Sequence, residues 1–237
     1  MKNIFKKLRI YGLKRFSLFL LGEMKYLVWF QKIKNSYSQL QEDILIDKIL
    51  GFKKKGFYVD VGANDPIRFS NTFRFYKKGW RGITIEPDTL SFEKLQKTRP
   101  KDLNLNLGVG TKKKTTYFYK FFPDTLSTTS KKSSDKYEKQ GFKMLGVEKI
   151  KIEKLSTLLK KFCKRNIDLM SVDTEGYDLE VLKSNNWKKF RPKILCIEVS
   201  QIKENKIKNY LAKVGYRQYL NNGLNSIFIE KNYHKTL

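Results

Sequence analysis

Histidine is all but missing from this chain: His234, close to the carboxyl terminus, is the single imidazole in 237 residues. That scarcity excludes His-rich zinc sites and a histidine-based catalytic cluster. It leaves a carboxylate, a lysine, a tyrosine or a metal-bound water to act as a base. Cysteine is nearly as rare. Cys163 and Cys196 sit in apolar surroundings and form no C-x-x-C pair, which argues against a disulfide scaffold and fits a reducing cytoplasm. With only five prolines and fourteen glycines there is little room for low-complexity linkers, and no internal repeat occurs. Long apolar runs are missing too. In the apolar stretch from Phe16 to Phe30 the longest segment without a charge is seven residues, Phe16 to Gly22, far short of the ~20 needed to span a bilayer. No small-residue cleavage site follows, so no signal peptide is expected.

Acid is the last shortage: 23 acidic residues face 50 basic ones, for a net charge of +27. Such a balance favours anionic partners, among them acidic lipid surfaces and phosphate-bearing substrates. Only nine of the basic residues are arginine, and the lysines are spread along the whole chain. No recognition helix, zinc finger or RNP-type aromatic strand appears, so nucleic acid is not an expected partner. Hydrophobic content of 40% and aromatic content of 14% suit a packed globule, and the length suits one large α/β domain. The division expected is a basic, apolar extension over 1–36 and a domain over 37–237. The extension either packs on the domain as a helix or lies on a membrane surface, which would place the protein at the inner face of the membrane.

From about Gln39 onward, strand-like and helix-like segments alternate. Helical spacing runs through 40–52, and 70–79, 88–98, 155–162, 178–187 and 204–215 also read as helices. Strands are expected at 56–61, 81–86, 103–110, 115–122, 147–155, 167–173 and 193–199. A closing hairpin around Asn221-Asn222-Gly223 adds an antiparallel edge. Between two strands, 123–141 is Ser/Thr/Lys-rich and aperiodic and reads as a long loop. Alternating β and α predicts a mostly parallel sheet with helices on both faces.

Acids recur at one structural place. Asp60 lies near the end of the first strand, Glu86 closes the second, Asp173 closes the strand at 167–173, and Glu198 lies near the end of the next. In a parallel sheet those ends share a rim, where open α/β sheets bind ligands. After Asp60 comes Gly62, whose lack of a side chain lets a ligand approach the backbone. The dinucleotide fingerprint G-x-G-x-x-G is absent, while Glu86 stands where an acid grips ribose hydroxyls. A ribose-bearing cofactor without a pyrophosphate points to S-adenosylmethionine over NAD. Asp173 and Glu175, in "SVDTEGYDLEVL", open the turn into a helix. Asp173 can act as a general base if burial raises its pKa. Alternatively, Asp173 and Glu198 can hold Mg²⁺ through oxygen, and the metal would acidify a substrate hydroxyl. The residue pattern leaves both open.

"GFYVDVGANDPIRFSNTFRFYKKGWRGITIEPD", "LNLGVG", "DTLSTTS" and "IDLMSVDTEGYDLEVLKSNNW", in that order, closely resemble the FkbM family of S-adenosylmethionine-dependent O-methyltransferases over about 37–230. The resemblance implies a class I methyltransferase (Rossmann-like) fold with seven strands, and methyl transfer to a hydroxyl, often of a sugar or a secondary metabolite. It implies a cofactor site at Asp60, Gly62, Ala63, Asn64, Glu86 and Asn106, with Ser70, Asn71 and Thr72 matching the family's Ser-Asn-Thr. It also directs the hydroxyls and Asp124 of "PDTLSTTS" toward the acceptor. The function expected is O-methylation of a nucleotide-linked or lipid-linked sugar. The rival is a cofactor-free binding module for a membrane surface or nucleic acid on a degenerate methyltransferase fold, which predicts salt-sensitive binding and no cofactor.

Overall fold

The computed structural model describes residues 36–122, 126–199 and 204–233. The expected extension over 1–36, apart from Ser36, lies outside the described residues, as do Asp124 and His234. In chain order the first half contains α1 (Glu42–Ile49), β1 (Phe57–Val61), α2 (Phe73–Lys77), β2 (Arg81–Ile85), α3 (Thr89–Thr98), β3 (Leu103–Leu105), β4 (Gly108–Val109) and β5 (Lys114–Phe122). Then follow α4 (Lys131–Lys139), β6 (Lys143–Glu153), α5 (Leu155–Phe162), β7 (Leu169–Val172), α6 (Asp178–Lys183), β8 (Ile194–Glu198), α7 (Glu204–Lys213), β9 (Tyr216–Asn221) and β10 (Asn225–Glu230).

Seven strands form the main sheet in the order β3-β2-β1-β7-β8-β10-β9. The first five run parallel, and β10 is antiparallel to both of its neighbours. The closing hairpin forms the antiparallel edge expected, with β10 inside the sheet and β9 at its border. Period-2 alternation splits the central strands between two cores. Val59, Val61, Met170, Val172, Leu195 and Ile197 face α5, α6 and α7, packing on Leu158, Leu159, Val181, Leu182, Ile207 and Leu211. Tyr58, Leu169, Ile194 and Cys196 face α1 and α2, packing on Ile46, Ile49, Phe75 and Trp80. Each such fully buried side chain contributes roughly 1.5–3 kcal/mol.

Two expectations need correction. The predicted strand over 103–110 breaks in two. Asn106 Nδ2 donates to the carbonyls of Glu86 (3.0 Å) and Pro87 (3.1 Å) and turns the chain out of the main sheet. Its continuation, β4, pairs with β6 in a second sheet of order β4-β6-β5. The stretch 123–141, expected as a loop, carries α4. Ser130 caps it by accepting from Ser133 N–H, and Tyr137 packs edge-on to Phe121 and Phe142. So polar a helix has little apolar periodicity to reveal it.

Candidate active site

The carboxyl ends of β1, β2 and β7 meet around one glycine. Gly62 has φ +80, and a Cβ on it would lie 1.7 Å from the carbonyl oxygen of Asp173. The backbone at the end of β7 thus occupies the space that any side chain at 62 would need. Gly62 N–H donates to the Ile85 carbonyl at 2.9 Å, and Asp173 N–H donates to the Val61 carbonyl at 2.9 Å. Three strand ends are thereby locked into a floor. Ala63 is buried beside it.

Glu86 is buried at the tip of β2. One of its oxygens accepts from Asn64 N–H and the other from Asp88 N–H, both at 2.8 Å. Burial pushes its carboxyl up to about 7, the two backbone donors opposing the rise. A carboxylate has about four lone-pair sites, so two remain for a ligand. Asn64 holds φ +41, and its Oδ1 accepts from Ser91 Oγ at 3.3 Å. Asp88 caps α3 by accepting from Ser91 N–H.

Asp60 takes a different place from its neighbours. Alternation turns its side chain to the α1/α2 face, away from the cavity that Val61 and Gly62 line. There it accepts from the Thr72 hydroxyl and lies 3.6 Å from the fully buried Arg99 guanidinium. Arg99 also pairs with Asp102 at 3.0 Å, and Asp102 accepts from the Tyr58 hydroxyl. Ser70 Oγ accepts from Phe73 N–H at 3.1 Å, just ahead of α2. Asn71 Nδ2 donates to Ser171 Oγ at 3.2 Å, while its buried Oδ1 has no hydrogen-bond partner among the described residues. Asp60, Ser70 and Asn71 therefore support the floor from behind, and Asn106 pins the turn after β3. Of the residues expected to meet the cofactor, Gly62, Asn64 and Glu86 line the cavity.

Asp173 and Glu198 are brought together. Val172 pairs with Ile197 in the parallel register, so the next residues are neighbours. Asp173 is hydrogen-bonded to Glu198, and burial, reinforced by the Glu198 charge, holds it well above the usual carboxylate range. Asp173 faces the cavity together with Thr174 and Glu175. Glu175 adopts φ +50 ahead of Gly176 at φ +90. Thr174 anchors that turn by donating its N–H and hydroxyl to Asp178, each at 2.9 Å. Nothing in the arrangement supports the Mg²⁺ considered for this pair. No group of three or more His, Cys, Asp or Glu among the described residues is placed to hold an ion.

Two adjoining cavities open over the floor. The first, about 420 Å³, runs from Gly62, Glu86 and Asp173 to Leu107–Val109 and the second sheet. The second, about 480 Å³, is lined by Ser127, Thr128, Ser130, Ser133, Tyr137, Glu175, Gly176, Tyr177 and Glu180. Lys120 fixes the second sheet above the first cavity, bridging Asp88 (2.6 Å) and Glu148 (2.7 Å). Backbone bonds between Tyr119 and Thr128 bring 126–130 to the same wall. Residue-by-residue reading missed Arg99, Asp102 and the second sheet. Arg99 sits in a Lys-rich helix end and looks like one more solvated cation there.

The family described as the methyltransferase FkbM domain matches residues 60–218. Among solved structures, the METTL16 methyltransferase domain is 10% identical, with 82% of this chain and 68% of that one covered at a TM-score of 0.46. A TehB-like SAM-dependent methyltransferase from Corynebacterium glutamicum is 8% identical, with coverages of 89% and 99% and a TM-score of 0.44. The C-terminal domain of precorrin-6Y C5,15-methyltransferase from Rhodobacter capsulatus is 11% identical, with coverages of 81% and 90% and a TM-score of 0.36. These likenesses are loose, and the assignment rests on the family match. No curated protein matches the sequence.

Proposed function

Because the chain belongs to the FkbM family of methyltransferases, we propose that it transfers a methyl group from S-adenosylmethionine to a hydroxyl of a sugar. One observation carries the acceptor half of this reading. The cavity beside the cofactor-sized one is lined by the hydroxyl-bearing residues Ser127, Thr128, Ser130, Ser133, Tyr137 and Tyr177. Groups that both donate and accept suit a polyol.

The residues present fit the cofactor. A cavity of about 420 Å³ is within the range of small-ligand sites, and Glu86 keeps acceptor capacity for ribose hydroxyls. Gly62, Asn64 and Glu86 would hold it. S-adenosylmethionine, when bound, supplies an electrophilic methyl group. The chain's own work is to hold the acceptor hydroxyl and take its proton. Asp173 faces the cavity, its carboxyl held above the usual carboxylate range by burial and the neighbouring Glu198 charge, and a carboxylate of raised pKa suits the task of taking the hydroxyl proton. Glu175 and Glu180 in the wall make the polar cavity a poor seat for phosphate. The phosphate of a nucleotide-linked or lipid-linked acceptor then lies outside it, toward the basic surface. A cytoplasmic setting agrees with two free cysteines, Cys163 and Cys196.

The test is to incubate the protein with isotope-labelled S-adenosylmethionine and a panel of nucleotide sugars and lipid-linked saccharides. A gain of one labelled methyl on a sugar oxygen supports the reading. Transfer confined to RNA, nitrogen or carbon overturns it. A cofactor-free binding module predicts no cofactor binding at all, which the same preparation would reveal.

A further inference from the structure

The second sheet has two faces, and only one of them belongs to the site. Phe118, Lys120, Ile150 and Ile152 turn inward and line the first cavity. Alternation turns Thr115, Tyr117 and Tyr119 of β5, with Val147, Lys149 and Lys151 of β6, to the other side. The register makes these side chains one patch. Thr115 stands opposite Lys151, Tyr117 opposite Lys149, and Tyr119 opposite Val147. Directly opposed side chains on one face of a sheet lie within contact reach. Tyr117 is 57% exposed and Val147 47%, and both lysines are exposed.

Charge is sorted between the two faces. Glu148 points inward to Lys120, while Lys149 and Lys151 point outward with no acid opposite them. Glu153, at the end of the row, turns to Lys113 at 3.9 Å. Lys131 lies 5.5 Å from the Tyr119 ring and pairs with Asp135 at 2.6 Å. The patch is therefore aromatic along β5 and cationic along β6. It also adjoins the polar cavity. Tyr119 exchanges both backbone hydrogen bonds with Thr128, and Thr128 stands in the wall of that cavity.

Such a surface complements a chain of rings that carries negative charge. The faces of the tyrosine rings are electron-rich and attract the polarised C–H edge of a pyranose. Both unopposed cations are lysines, point charges on flexible stems, whereas nucleic-acid backbones are gripped by preference with arginine forks. We propose that the outer face of the second sheet, through Tyr117, Tyr119, Lys149 and Lys151, binds an anionic oligosaccharide where it leaves the polar cavity. This rests on the reading of that cavity as a sugar site and extends it. The acceptor is then one unit of a charged saccharide chain, not a lone monosaccharide.

The experiment is calorimetric titration of an oligogalacturonate, a chain of carboxylated pyranoses, into the full chain without cofactor at physiological salt. A maltooligosaccharide is the neutral comparison, and circular dichroism checks the folding of each variant. The charged chain should bind more tightly than the neutral one. A protein of net charge +27 attracts polyanions over its whole surface, so the deciding readout is where the loss falls. Lys149→Gln/Lys151→Gln should weaken oligogalacturonate binding roughly two- to thirty-fold, the range for two exposed ion pairs. Lys188→Gln/Lys189→Gln, ahead of β8 at the amino-terminal end of the main sheet, should leave it unchanged. Tyr117→Ser should weaken the charged and the neutral chain alike, because stacking on the ring does not depend on the sugar's charge. No binding of oligogalacturonate, equal losses from the two lysine pairs, or tighter binding of an oligouridylate than of oligogalacturonate overturns the proposal. Binding is measured without cofactor, so this result stands or falls apart from that of methyl transfer.

Discussion

Replacing Gly62 by alanine perturbs the floor of the site at one atom. The new Cβ would stand 1.7 Å from the Asp173 carbonyl oxygen, and the backbone at 62 has φ +80. A left-handed conformation costs an L-residue roughly 1–2 kcal/mol. The collision is with backbone, which cannot rotate aside, and overpacking of that kind costs about 1–3 kcal/mol more. The sum is roughly 2–5 kcal/mol, out of a total of about 5–15 kcal/mol for a domain. Gly79 supplies the control: its φ is +94, but a Cβ there meets nothing within 4 Å. Gly79→Ala should cost the backbone contribution alone. By differential scanning calorimetry, Gly62→Ala should lower Tm by roughly 5–20 °C and Gly79→Ala by roughly 2–8 °C. Relief of the collision moves the end of β7, so Gly62→Ala should also lose cofactor affinity while Gly79→Ala keeps it. Equal losses in the two variants would refute the packing of β1 against Asp173.

Three other outcomes are expected. Glu86 titrates near 7 in the fold against an ordinary 4.5, so its contribution to stability is complete below pH 4.5 and is lost as pH rises through 7. The amount is roughly 3 kcal/mol; urea midpoints at acid and alkaline pH should diverge less in Glu86→Gln than in the parent, and an unchanged slope would sink the assignment. Arg99→Met leaves Asp60 and Asp102 as buried, unpaired carboxyls and should destabilise by about 3–5 kcal/mol, measured by chemical denaturation; a loss below about 1 kcal/mol would mean the cluster is not tightly coupled. Asp173→Asn keeps the size of the side chain and removes the proton-accepting oxygen, so it should lower kcat by roughly 10²–10⁴ with little change in Tm. Unimpaired turnover would move the proton acceptor elsewhere, Glu175 being the next candidate.

The layout of the sheet was legible because each strand announces itself by apolar runs ended by an acid or glycine, and the helices between them by 3.6-residue spacing. The same strand-end acids are gathered at one rim by the fold: Glu86 and Asp173 line the cavity, and Glu198 lies against Asp173. What sequence reading overlooked was direction. Asp60 lies between Val59 and Val61, and period-2 alternation already puts it on the opposite face from the cavity lining. Its partner Arg99 is distant in sequence, and no local pattern distinguishes a buried arginine from its solvated lysine neighbours. The second sheet was hidden for another reason: β4 has only two residues, and Asn106 ends β3 through side-chain bonds to carbonyls that lie beyond β2. In α4 the helix depends on one serine cap and one tyrosine, too little for periodicity to register.

Calorimetric titration of S-adenosylmethionine into the parent protein and into Glu86→Ala tests the central claim most directly. Removing a charged hydrogen-bond acceptor costs about 1.5–3 kcal/mol. The parent should therefore bind the cofactor at one site, and Glu86→Ala should bind it roughly ten- to a hundred-fold more weakly. Equal affinity in the two proteins, or no binding in the parent, would contradict a cofactor site at the carboxyl ends of β1 and β2.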